Sequence, residues 1–259
     1  MYSSYIRENI VSLGRALVRL FDSFGRRNIY RNFRDRLRPA LASRLVETSV
    51  DNEQFWEAAH KRNVHLWISG TPPKEIYERL NIRELLLCKG LSVLNVGVGE
   101  GYCEEDLARN GHFVDSLDIS RSALERVSRF TAHAYLMARD LQDETYDLVI
   151  HHLVAQHMTH QALQDQLTHL VRALKCEGLI AMQFASSQSV PDRTSSDSDG
   201  SVVKSGGIFR SKNFMRSLVT ICGGTIENLF EKEAWLNSDC QYMTAHIIKK
   251  SKTTETRFS

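Results

Sequence analysis

VLNVGVGEG, residues 93–101, decides the fold of this chain, and GHFVDSLDIS, residues 111–120, completes the unit that it begins. Val93, Leu94, Val96 and Val98 form a short, β-branched apolar run ending in glycines, the pattern of a strand buried on both faces of a parallel sheet. Gly97, Gly99 and Gly101 follow at alternate positions, where the missing Cβ lets the backbone turn sharply and a ligand come close. Residues 103–110 are helical in pattern, Gly111 is a natural C-terminal stop, and Phe113, Val114 and Leu117 carry a second apolar strand that ends on Asp118. The spacing predicts strand, glycine turn, helix and strand, with an acid 17 residues beyond the last glycine.

An acid that ends the second strand of a mononucleotide-binding half lies beside the glycine turn, where it accepts hydrogen bonds from ribose hydroxyls. Asp118, with Ile119 next to it, fits that place. A dinucleotide fits less well. The finger G-x-G-x-x-G ends in a small residue so that helix and strand can pack closely, and Tyr102 holds that position here. Glu100 stands at the mouth of the following helix, where a carboxylate repels pyrophosphate but tolerates an ammonium group. Ribose and an amino-acid end without phosphate describe S-adenosylmethionine. Residues 91–184 resemble the cofactor core of the class I S-adenosylmethionine-dependent methyltransferases, whose first motif is similar to VLNVGVGEG and whose second strand ends in an acid like Asp118. The resemblance implies an α/β fold: a Rossmann-like, doubly wound, mainly parallel seven-stranded sheet closed by an antiparallel C-terminal hairpin. It also implies S-adenosylmethionine as cofactor, held by Asn95, Gly97, Gly99, Glu100, Gly101, Asp118 and Ile119. Family members often carry Asp or Glu where this chain has Asn95, which accepts a hydrogen bond but brings no charge. Glu100 or a backbone carbonyl is therefore expected to share the methionine ammonium.

Beyond Asp118 the alternation continues. Ser120 is a good N-cap for a helix through Ala123, Leu124 and Val127, and residues 134–137 read as a third strand leading into Arg139, Asp140 and Leu141. The resemblance implies that Asp140, with the backbone at Leu141, meets the adenine ring; an exposed turn acid is the competing reading. YDLVIHH, residues 146–152, is the fourth strand, and His151 and His152 leave its carboxyl end, the side on which open α/β sheets bind ligands. His151 is expected at the cofactor. Gln156 and His157 follow in the loop, before a helix over residues 161–175. His157 and then His152 are the candidates for a general base, since an attacking oxygen gains from losing its proton to a histidine; packing or cofactor contact is the alternative for each. His151 and His152 point to opposite sides and no acid or cysteine completes a set, which argues against a metal. Residues 178–185 read as a fifth strand. Residues 186–207, rich in Ser, Asp and Gly, read as a flexible lid or as plain disorder. Ser211 caps a further helix, and residues 225–230 and 241–249 form the final strand pair.

The front of the chain differs. Residues 1–50 hold ten arginines and no lysine against four acids, a net charge of +6 that leaves −4 on the remaining residues. Ile10, Leu13, Leu17 and Phe24 recur at helical spacing, so residues 1–50 are expected to form a basic amphipathic helical extension. Such a helix packs on its own domain or a partner, makes peripheral contact with an anionic membrane, binds nucleic acid or serves as an organelle signal. Residues 51–90 read as a helical cap, in which Trp56, His60, His65 and Trp67 are acceptor-pocket candidates and Thr71 lies near the cap of a helix opened by Pro73. A tail covers residues 251–259. The composition, 42% apolar and 25% charged, is that of a globular protein, and no apolar run approaches the roughly 18 residues of a membrane span. Five scattered cysteines without a C-x-x-C pair suit a reducing compartment, so a cytoplasmic location is expected, with membrane association at the cytoplasmic face where the basic extension makes contact.

Residues 91–250 thus read as an S-adenosylmethionine-dependent methyltransferase domain acting at oxygen on a small molecule or glycan. No basic, aromatic-laced stripe for nucleic acid and no N-P-P-Y-type segment is present. Two alternatives stay open: an NAD(P)-dependent oxidoreductase, which Tyr102 and the lack of a Y-x-x-x-K pair disfavour, and an inactive binding module, which Asn95 keeps in view.

Overall fold

The computed structural model describes residues 52–61, 71–187, 208–234 and 240–250, all within one unit spanning Thr48–Ser259. The basic extension of residues 1–50, the acceptor candidates His65 and Trp67, nearly all of the expected lid and the tail of residues 251–259 lie outside the described residues.

The strands are β1 (Ser92–Val96), β2 (Phe113–Leu117), β3 (Ala134–Tyr135), β4 (Tyr146–His151), β5 (Leu174–Ser187), β6 (Gly224–Ala234) and β7 (Cys240–Lys249). They form one seven-stranded sheet in the order β3-β2-β1-β4-β5-β7-β6. Strands β1 to β5 pair in parallel, and β7 enters antiparallel between β5 and β6. This is the expected mainly parallel sheet with its antiparallel hairpin. Among the described residues six α-helices accompany it: α1 (Asn52–Lys61), α2 (Pro73–Arg79), α3 (Tyr102–Arg109), α4 (Arg121–Val127), α5 (His160–Ala173) and α6 (Lys212–Ile221).

Alternation along the strands divides the core. Leu94, Val96, Val149, Ile180 and Met182 face α5 and α6, where Leu163, Leu167, Leu170, Met215, Leu218 and Val219 cover them. Val93, Leu148, Ile150 and Ala181 face the opposite layer, against Ile76, Tyr77 and Leu80 of α2 and Cys103 and Leu107 of α3. Ser120, Thr159 and Ser211 cap α4, α5 and α6, each hydroxyl accepting the backbone N–H three residues on.

Several boundaries differ from the sequence reading: residues 174 and 175 open the fifth strand instead of ending the helix before it, and the sixth strand runs on to Ala234. The third strand has only two residues, because β3 is an edge strand with a single neighbour. The fifth strand runs on to Ser187, since β7 supplies partners along residues 179–187; residues 186 and 187 therefore belong to the sheet and not to a lid. Helix α2 takes Pro72 as its N-cap with no side-chain cap, and Thr71 lines the cavity instead.

Candidate active site

The carboxyl ends of β1, β2 and β4 open into a cavity of about 600 Å³, walled by α1 and α5 as well. That volume is in the range of pockets for small ligands. At its floor the chain leaves β1 through Gly97, Gly99 and Gly101, all with positive φ. At Gly97 a Cβ would come within 2.3 Å of Val154 Cγ2, and at Gly101 within 2.4 Å of Val127 Cγ1. Glycine at these two positions serves left-handed backbone and close packing together. Gly97, Gly99 and Glu100 line the cavity, whereas Gly101 sits behind it and seats α3 against α4.

Asp118 lies at the end of β2, buried and facing the cavity. Its Oδ2 accepts the Val98 amide and its Oδ1 the Ser120 amide, each at 2.8 Å. Burial raises its carboxyl to about 6, against the lowering effect of those two amides and of Arg126. Each oxygen keeps a further lone pair for a ligand hydroxyl. Ile119 lies exposed beside it on the cavity wall.

Asn95, buried at the end of β1, lines the floor and donates from Nδ2 to Glu104 Oε1 at 2.8 Å. Ser116 Oγ donates to the same oxygen at 3.0 Å. Burial pushes Glu104 up to about 7 in spite of these bonds.

The sequence reading places other residues differently. His151 does not line the cavity. Two residues on from Val149, it shares that side chain's face of β4 and points at α5, where Nε2 meets Gln166 Oε1 at 2.9 Å. Burial holds its imidazole down at about 4. Asp140 ends a single 3₁₀ turn over Ala138–Asp140, exposed to solvent with its carboxylate 4.0 Å from Arg139 Nε. Leu141 is buried in the core on the α5 side. Met137, Ala138 and Arg139 form this stretch of wall in their place.

His152 and His157 both line the cavity. Burial, with Arg79 and His151 nearby, lowers His152 to about 3, so it is neutral and a weak base at neutral pH. His157 belongs to the 3₁₀ turn Ala155–His157 and packs edge-on against Trp56 of α1, ring centroids 5.1 Å apart. Trp56 and His60 thus stand in the cavity wall, opposite Asp165 and His169 from α5. Among the described residues no cluster of His, Cys, Asp and Glu is placed to hold a metal ion.

Several residues of the site went unnoticed in the sequence. Glu57 of α1 accepts Ser120 Oγ at 2.6 Å, Ser122 Oγ at 2.7 Å and the Ser122 amide at 3.2 Å, which fastens the α1 wall to the turn after β2. Arg126 of α4 donates to Gly99 O at 2.8 Å and reaches His60 O and Nδ1 at 3.4 Å. Arg210, fully buried, donates to Ala155 O at 2.8 Å and Met158 O at 2.6 Å and so holds the His157 turn. Nothing in the spacing of these three marks them. Glu104 did leave a signal: at 103, 104 and 107 it shares the buried side of α3 with Cys103 and Leu107.

Residues 94–182 match the family model described as a methyltransferase domain. No curated protein matches the sequence. Among solved structures, 1,6-didemethyltoxoflavin-N1-methyltransferase of Burkholderia thailandensis superposes with a TM-score of 0.58 at 13% identity, over 77% of this chain and 87% of that one. A TehB-like S-adenosylmethionine-dependent methyltransferase of Corynebacterium glutamicum gives 0.53 at 19% identity, over 77% and 100%. The cyclase SpnF gives 0.54 at 14% identity, over 69% and 80%. At such identities the likeness is one of fold, which a cyclase can share. The matched segment runs from β1 into β5, the strands that build the cavity floor, and with the sheet order it gives this chain a methyltransferase-domain match on a methyltransferase-like fold.

Proposed function

We propose that the chain binds S-adenosylmethionine in the cavity and transfers its methyl group to an oxygen of a small molecule or glycan. One observation carries the cofactor reading. Asp118 presents a buried carboxylate to the cavity beside a glycine turn whose mouth holds Glu100 and Tyr102, a setting for ribose and an ammonium group and not for pyrophosphate. Asp118 would hold the ribose hydroxyls, the exposed Ile119 and the wall of Met137 and Ala138 the adenine, and Asn95 with Glu100 the amino-acid end. The bound cofactor supplies an electrophilic methyl group on a sulfonium centre.

The chain's own residues then have two tasks. Positioning comes first, since in-line attack on a methyl carbon gains most of its rate from holding the nucleophile at near-attack distance. Trp56, His60, Met158 and His169 wall the part of the cavity available to an acceptor. The second task is to take the acceptor's proton. His157 is the better base: it lines the cavity on a turn held by Arg210, whereas burial makes His152 a poor one. A cavity of this size supports a small acceptor, in line with the 1,6-didemethyltoxoflavin bound by the Burkholderia enzyme.

The test is thermal stabilisation of the full chain by S-adenosylhomocysteine and by NADH. S-adenosylhomocysteine at 100 times its Kd should contribute about 2.7 kcal/mol and NADH nothing. Equal shifts, or a larger one with NADH, would overturn the assignment.

A further inference from the structure

The pairing of Asn95 with Glu104 does more than pack a helix on a strand. A carboxyl oxygen that already accepts the Ser116 hydroxyl admits Asn95 only through its NH2 group. The other end of the amide, Oδ1, is thereby turned away from that Glu104 oxygen and left as the acceptor that Asn95, a residue of the cavity lining, can offer a ligand. Glu104 itself is fully buried, and its Oε2 is buried with no hydrogen-bond partner. The titratable groups that face it are Tyr77 from α2, Cys103 from its own helix and Asp118 from the end of β2. None of the three is cationic. A buried carboxylate without a countercharge is costly, and this one is held near neutrality between its charged and protonated forms. An ammonium group docked on Asn95 Oδ1 would provide the missing countercharge.

We propose that Glu104 is a positioning residue: it fixes Asn95 with its carbonyl toward the ligand and supplies, through that amide, the negative charge that balances an ammonium group at the glycine turn. The inference rests on the cofactor reading above. When the ammonium docks, Glu104 releases its proton to solvent, and the hydrogen bonds from Asn95 and Ser116 become charge-assisted. No bond of the ligand is made or broken. The charge that an acid at position 95 would place in direct contact is set one residue deeper, where its ionisation depends on whether a cation is present.

Titration calorimetry at pH 7, in two buffers of different ionisation enthalpy, counts the protons. The ligands are S-adenosylhomocysteine, which carries the ammonium, and 5′-methylthioadenosine, which shares the nucleoside and thioether but lacks the amino-acid end. Wild type should release about half a proton on binding the first, the share a group titrating near 7 still holds at that pH, and none on binding the second. Glu104→Gln should release none with either ligand. It should lose roughly tenfold in affinity for S-adenosylhomocysteine, the scale of one charge interaction across a few residues, and keep its affinity for methylthioadenosine. Asn95→Asp added to Glu104→Gln should restore most of the lost affinity. Proton release that persists in Glu104→Gln, or equal losses for both ligands, would overturn the proposal. Wild type binding S-adenosylhomocysteine without proton release would overturn it alone, whereas wild type binding neither ligand would overturn the cofactor reading with it.

Discussion

Asp118 has both carboxylate oxygens engaged by backbone amides before any ligand arrives, and Glu104 has one oxygen doubly engaged and the other bare. Burial lifts Asp118 to about 6 and Glu104 to about 7. For both, the native chain holds a proton that the unfolded chain has already lost, so their contribution to stability falls as pH rises from near 4 through the folded values. Glu57 behaves in the opposite sense. Burial pushes it up, but the hydrogen bonds from Ser120 and Ser122 outweigh that and hold it at about 2; its contribution is present above 4.5 and is lost as pH falls toward 2. Glu104→Gln keeps the Oε1 acceptor and removes the titration. Differential calorimetry of the unliganded protein should show the variant gaining on wild type by roughly 3 kcal/mol between pH 4 and 8. Parallel stability curves would mean that Glu104 does not titrate in this window. Asp118 was legible in the sequence because its place follows from chain order, one strand after the glycine turn. Asp140 was not: a single 3₁₀ turn decides which of residues 137–140 face the cavity, and Met137, Ala138 and Arg139 do so.

Among the elements, those with strong apolar periodicity were read within a few residues. Leu163, Leu167, Leu170 and Val171 mark α5, and the β-branched runs mark β1 and β4. The extension of β5 was hidden because its last residues are polar or small and are held by pairing with β7, a contact distant in sequence. The attachment of α1 was hidden for a similar reason: Glu57 lies more than 60 residues before Ser120 and Ser122. Three hydrogen bonds end on that one carboxylate, so Glu57→Ala should free α1 from the turn after β2. We expect amide exchange in α1 to speed up by ten- to a hundredfold, the effect of losing on the order of 1–3 kcal/mol, while β1 and β4 keep their protection. Unchanged exchange in α1 would show that its apolar contacts suffice.

For the whole molecule, β7 is the strand that makes the sheet one body. It lies between β5 and β6, buries Met243, Ala245 and Ile247 in the core shared with α5 and α6, and ties α2 through Thr244 Oγ1 to Arg79 O and His246 Nε2 to Leu80 O. A chain ending after residue 222 should therefore lose cooperative thermal unfolding altogether, although the residues matched to the family model remain; a sharp transition in that fragment would contradict this role. The sequence allowed the fold class and the floor of the site to be read, because both follow from local patterns in chain order. Trp56 and His60 were read as wall candidates, but the joints that hold the walls escaped it, because they link α1, α4 and the segment before α6 across long separations. One of those joints bears on time as well as on shape. Arg126 grips Gly99 and His60 together, and Glu57 grips Ser120 and Ser122 from the same helix that carries Trp56 and His60 into the cavity wall. A molecule lodged against Trp56 and His60 rests on a wall that these grips hold in place. For a ligand that leaves past α1, residence time follows how often α1 lifts, so a variant that loses these grips should exchange its ligand faster while binding it almost as tightly.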